Sequence, residues 1–77
     1  MSEESNIREW LRNVRRDRWL QAKVMNSLGS DWQRFEGLMV KYTKVELPDD
    51  EREELQVLLN KLKAKNLDDP NILRLRV

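Results

Sequence analysis

Residues 7–28 read IREWLRNVRRDRWLQAKVMNSL, and the fold turns on whether they form one helix. At about 100° per residue, Ile7, Trp10, Leu11, Val14, Met25 and Leu28 share an apolar stripe, with Ala22 at its edge. Asn6 precedes the stripe, and Glu9 stands three positions on, the spacing of a capping box. Gly29 follows as a C′ residue that ends the helix. The spacing predicts a helix over 6–28 behind a flexible start over 1–5. Arg18 is the misfit, because it falls inside the apolar stripe between Val14 and Met25. Either its stem packs while the guanidinium reaches water, or the stripe is interrupted to receive an acidic partner such as Glu53 or Glu54.

Opposite the stripe the same wheel is basic. Arg8, Arg12, Arg15, Arg16, Trp19 and Lys23 fall within an arc of about 100°. Arg15 and Lys23 each lie four residues from Trp19, one on either side, within reach of its ring face. Read as a binding ridge, the arc suits an acidic protein surface, with Trp19 as the anchor and the arginines as its charged surround. The alternative ligand is single-stranded nucleic acid, phosphates on the cations and a base on Trp19. Read structurally, Trp19 and Leu20 cover another part of the same chain, and the arginines are solvated or paired with the acidic residues after Pro48.

The remaining segments are shorter. Ser30 and Gln33 repeat the capping logic ahead of a helix over 31–43, where Trp32, Phe35, Met39 and Tyr42 line one face. Trp10, Trp32, Phe35 and Tyr42 are read as core. A helix-turn-helix reading of the first two helices fails, since the second offers only Arg34 and Lys41 to a groove. Val40–Leu47 is rich in β-branched residues, and 44–47 leaves the helix as an extended segment in this reading. Pro48 starts a third helix over 49–66, with acidic residues crowding its beginning, lysines its end, and Leu55, Leu58, Leu59 and Leu62 as its buried stripe. Asp68-Asp69-Pro70-Asn71 is a turn, and Leu73, Leu75 and Val77 alternate with Arg74 and Arg76 in an extended tail over 71–77. The predicted fold over 1–77 is therefore a small all-α three-helix domain with an extended tail. An α+β variant pairs 44–47 with 73–77 as a minimal sheet.

Composition narrows the function classes. The chain has 77 residues and neither cysteine nor histidine, so disulfides, thiol nucleophiles and His/Cys zinc sites are excluded. With glycine only at positions 29 and 37, there is no phosphate-cradling loop. The carboxylates of 49–54 match the helix dipole better than a metal set. No apolar run reaches the roughly 20 residues of a membrane span, and no signal peptide follows Met1, so the expected setting is cytoplasmic. The net charge of +1 conceals a basic front and an acidic back. Residues 7–24 carry net +4 and residues 45–77 net −2. The expectation is a non-catalytic interaction module, an accessory or regulatory subunit that uses no cofactor or small-molecule substrate. Its partner is a protein with an acidic surface, bound through Arg8, Arg12, Arg15, Arg16, Trp19 and Lys23. The unlike halves also suit self-association into a homo-oligomer. Nucleic acid is the alternative partner, at a log–log salt slope of roughly −2 to −4.

Overall fold

A computed structural model describes residues 3–77, with side chains from residue 6 onward. The fold is a small all-α domain. Its elements are α1 (Glu3–Arg16), α2 (Arg18–Leu28), a 3-10 turn (Gly29–Asp31), α3 (Trp32–Lys44), α4 (Asp49–Lys65) and a one-turn α5 (Pro70–Leu73). Among the described residues there is no strand, which removes the minimal sheet from 44–47 and 73–77.

The single helix expected over 6–28 is two helices, divided at Asp17. Asp17 leaves the helical conformation (φ −110°, ψ 108°), and its carboxylate accepts the N–H groups of Trp19 at 2.9 Å and Leu20 at 3.4 Å. That is the geometry of an N-cap, and it restarts the helix in a new direction. The interruption frees the Arg15 carbonyl, which the Gln21 side-chain amide fills at 3.2 Å. Each helix then buries its own stripe. Ile7, Trp10, Leu11 and Val14 are buried from α1, whereas Val24, Ser27 and Leu28 are buried from α2. Met25, placed in the core by the continuous wheel, is 46% exposed, and Val24 is 0% exposed. Arg18 is exposed as well, so neither reading of it as a guest in the core holds.

Helix α1 packs on α3, α2 on α4, and α3 on α4. Their buried faces meet in one cluster, in which Trp10 meets Phe35 edge to face at 6.1 Å, a favoured aromatic geometry. Trp32 and Tyr42 are half-buried against the same cluster.

Other boundaries move for local reasons. Helix α1 begins at Glu3, so Asn6 is inside it rather than capping it, and 3–5 are helical; of the expected flexible start, residues 1–2 lie outside the described residues. Ser30 caps nothing, because Gly29–Asp31 winds into the 3-10 turn first. The β-branched stretch stays helical to Lys44, with the Thr43 hydroxyl donating to the Val40 carbonyl at 2.7 Å. Helix α4 keeps Asp49, Asp50 and Glu51 in its first turn and Lys63 and Lys65 in its last, and buries Leu55, Leu58, Leu59 and Leu62.

The tail is not extended at its start. Asp69 caps α5 by accepting from Asn71 N–H at 3.0 Å and Ile72 N–H at 3.3 Å, with Pro70 in the first turn. Ile72 and Leu75, three apart, are buried, while Leu73 faces outward.

Asp17→Ala removes the cap that sets the α1–α2 angle. It should cost about 1 kcal/mol and lower Tm by about 4–8 °C, measured by thermal unfolding. The two glycines should respond oppositely to alanine. Gly37 sits in helical backbone with open space around it, so Gly37→Ala should stabilise by about 0.4–1 kcal/mol in urea titrations. Gly29 ends α2 at φ +60°, ψ −131°, a region other residues avoid, so Gly29→Ala should destabilise by about 1–3 kcal/mol.

Candidate functional site

The arginines of α1 project beside α3, because burying Leu11 and Val14 against the core turns positions 8, 12, 15 and 16 to the surface. Between the two helices lies an open groove of about 540 Å³, lined by Arg8, Leu11, Arg12, Arg15, Arg16, Val40, Thr43 and Lys44. Leu11 and Val40 give it an apolar floor, five cationic residues surround it, and among the described residues its lining includes no acidic side chain. Arg8 is held in place, donating to the Thr43 carbonyl at 2.7 Å and so tying α1 to the last turn of α3. Among the described residues Arg12, Arg15 and Arg16 take part in no ion pair.

Four of the six expected site residues, Arg8, Arg12, Arg15 and Arg16, therefore converge on one groove. Trp19 and Lys23 do not line it. Trp19 is on α2, beyond the Asp17 break, and is 87% exposed. Among the described residues neither the C-terminal tail nor any other segment covers it. Lys23 reaches instead to the Asp69 carboxylate at 3.1 Å, which joins α2 to the cap of α5. Lys44 is a groove residue that sequence reading missed. Its signal is the helical phase of Val40 and Lys44, four apart, which the β-branched composition of 40–47 obscures.

The acidic start of α4 does not pair with the α1 arginines. Glu54 accepts from both Arg34 Nε and Nη2, and Glu51 accepts from Lys41 Nζ at 2.8 Å. Part of the acidic half is thus taken up by α3, which leaves it less able to meet a basic face on a second copy. Hydrogen bonding from Arg34 holds the Glu54 carboxyl below its usual range. Lys63 is pushed down, first by burial and then by the charge of Arg76, which the C-terminal segment brings beside the end of α4.

Beside the groove, where α1, α2 and α3 meet, a pocket of about 230 Å³ is lined by Trp10, Leu11, Val14, Trp32 and Phe35, with Arg15, Gln21 and Glu36. The buried Trp10 indole N–H finds no acceptor among the described residues. No group of three or more acidic residues is placed to hold a metal ion among the described residues. No described helix is long and apolar enough to cross a membrane.

Comparison with known families, curated proteins and solved structures finds no match to this chain.

Asp69 is the titrating residue with the most structural consequence. Burial alone would raise its pKa, but hydrogen bonding from Lys23, the N–H groups of Ile72 and Asn71, and the Lys23 charge together bring it below the ordinary value. A carboxyl depressed in the folded state contributes stability above its unfolded pKa and loses it as pH falls through the folded one. Urea stability should be level from neutrality down to about pH 5 and fall below about pH 4. Asp69→Asn keeps the capping oxygen and should soften that fall. Asp69→Ala should also cost about 1 kcal/mol at neutral pH.

Proposed function

We propose that this protein is a non-catalytic interaction module, an accessory or regulatory subunit whose α1–α3 groove receives an acidic, amphipathic segment of a partner protein. The observation that carries this reading is the composition of the groove: Arg8, Arg12, Arg15, Arg16 and Lys44 around a floor of Leu11 and Val40, with no carboxylate in the lining among the described residues. Cations at the rim draw in and orient an acidic partner, and a buried apolar strip supplies the contact area that holds it. A helical segment with acids on two sides and leucines on one meets both demands.

The same cations would accept phosphates. Three features favour protein over nucleic acid. A phosphodiester backbone has nothing to place on Leu11 and Val40, and Trp19 lies outside the groove, so phosphate contacts and base stacking are not combined in one channel. The whole-chain charge of +1 is also low for a nucleic-acid binder.

The test uses a fluorescein-labelled amphipathic Glu/Leu helical peptide and a labelled oligothymidylate, each titrated with the full chain at about 50 mM salt. The peptide should bind, and Arg12→Glu combined with Arg15→Glu should weaken it by about tenfold or more with the fold intact by circular dichroism. Failure of the peptide to bind, with the oligonucleotide bound at a salt slope of roughly −2 to −4, would instead establish the nucleic-acid alternative.

A further inference from the structure

Where α2 turns off α1 at Asp17, the junction with α3 is left unfilled. The pocket of about 230 Å³ found there has three aromatic walls, Trp10, Trp32 and Phe35, and two aliphatic ones, Leu11 and Val14. Trp10, Val14 and Phe35 are buried, and Trp32 is half-buried. Protein interiors seldom leave a void larger than a water molecule, because unfilled space forfeits dispersion contacts. A chain of 77 residues has few such contacts to forgo. Open space between three aromatic rings is contact area left for an occupant from outside the chain.

The size of the pocket selects that occupant. An apolar cavity of about 150 Å³ takes a benzene ring, and small-molecule sites run to about 300–1,000 Å³. At about 230 Å³ the pocket takes one side chain with a six-membered ring and little else. Aromatic walls favour a ring in return, set edge to face as Trp10 and Phe35 already are. The polar part of the lining makes no demand for an ion. Arg15 on α1 offsets Glu36 on α3, and Gln21 is neutral.

The pocket is continuous with the arginine-lined groove. Leu11 and Arg15 line both, so the apolar floor of the groove runs into the pocket along α1. Arg8 meets the last turn of α3 at Thr43, whereas Arg15 shares the pocket with Trp32 and Glu36 near its start, so the two helices run antiparallel. Charge then grades along their seam. Arg8, Arg12, Arg16 and Lys44 surround the groove, Arg15 stands at the join, and Glu36 is at the pocket. A segment laid along the seam meets cations over its length and an aromatic pocket at its end.

We infer that the pocket anchors one phenylalanine side chain at an end of the acidic amphipathic segment that the groove receives. The inference rests on the groove reading above and adds to it the residue that fixes register. Interfaces draw most of their binding energy from a few anchors, often aromatic, seated in desolvated pockets and ringed by contacts that exclude water. With the ring seated, the partner's acids fall beside the α1 arginines and its leucines on Leu11 and Val40.

The probes are the acidic Glu/Leu helical peptide with phenylalanine at each end of its apolar stripe, which serves either orientation, and the same peptide with alanine at both places. Titrated with the full chain, the phenylalanine peptide should bind about tenfold or more tighter than the alanine one. The protein reports where the ring goes. The chain has three tryptophans, and in Trp19→Phe the two that remain, Trp10 and Trp32, both line the pocket. Trp19 is exposed, so this variant should unfold close to the parent temperature. Saturating it with unlabelled phenylalanine peptide should move its tryptophan emission to shorter wavelength, and the alanine peptide should not. Equal affinity of the two peptides, or tight binding with unmoved emission, overturns the inference and leaves the groove reading standing. Failure of both peptides to bind removes the groove reading and the inference with it.

Discussion

The Asp17 carboxylate accepts the N–H groups of Trp19 and Leu20, which in an unbroken helix would go to the carbonyls of Arg15 and Arg16. This substitution of side chain for backbone lets the chain turn without stranding donors, and the Gln21 amide takes the Arg15 carbonyl left behind. Everything that positions the surface features follows from the turn. Helix α1 is free to lie against α3 and form the arginine-lined groove, while α2 lies against α4. Trp19, which a straight helix would place among the arginines, is carried onto a separate face.

The far end of α2 is secured by a second group of polar contacts. The Asn66 side-chain amide, buried at the end of α4, donates to the Ser27 hydroxyl at 2.9 Å and to the Leu62 carbonyl at 2.8 Å, and Ser27 in turn donates to the Lys23 carbonyl. Lys23 binds the capping carboxylate of α5. In a chain too short for a large core and without disulfides, buried donors that are fully met help specify one packing of the helices. They also fix Ile72 and Leu75 in the core, so the C-terminal segment closes the structure.

Much of the fold was legible in the sequence. The periodic stripes of α3 and α4, the leucines at 55, 58, 59 and 62, the charge gradient along α4 and the glycine stop at 29 all reflect local rules that tertiary packing did not override. The break at 17 was missed because the wheel kept returning apolar residues, Met25 and Leu28, to the expected stripe. Two signs pointed to it: an arginine inside that stripe, and an aspartate three residues ahead of Leu20, from which Leu20, Val24, Ser27 and Leu28 form a new stripe. The tail was misread for a related reason. Asp69-Pro70 is a helix start as well as a turn, and alternation over six residues is too short to outweigh a cap. Of the candidate site, the α1 arginines were readable because they share one uninterrupted helix. The roles of Trp19 and Lys23 were not, since both depend on a direction that one carboxylate sets.

The account is tested most directly at Val24 and Met25, whose environments a continuous helix and a broken one assign in opposite ways. Urea unfolding of Val24→Ala and Met25→Ala in dilute solution compares them. A break at Asp17 predicts a loss of about 2 kcal/mol for Val24→Ala and under about 0.5 kcal/mol for Met25→Ala. The reverse order, with Met25→Ala costing about 2 kcal/mol or more and Val24→Ala close to neutral, would show residues 7–28 to be one helix and contradict the fold described.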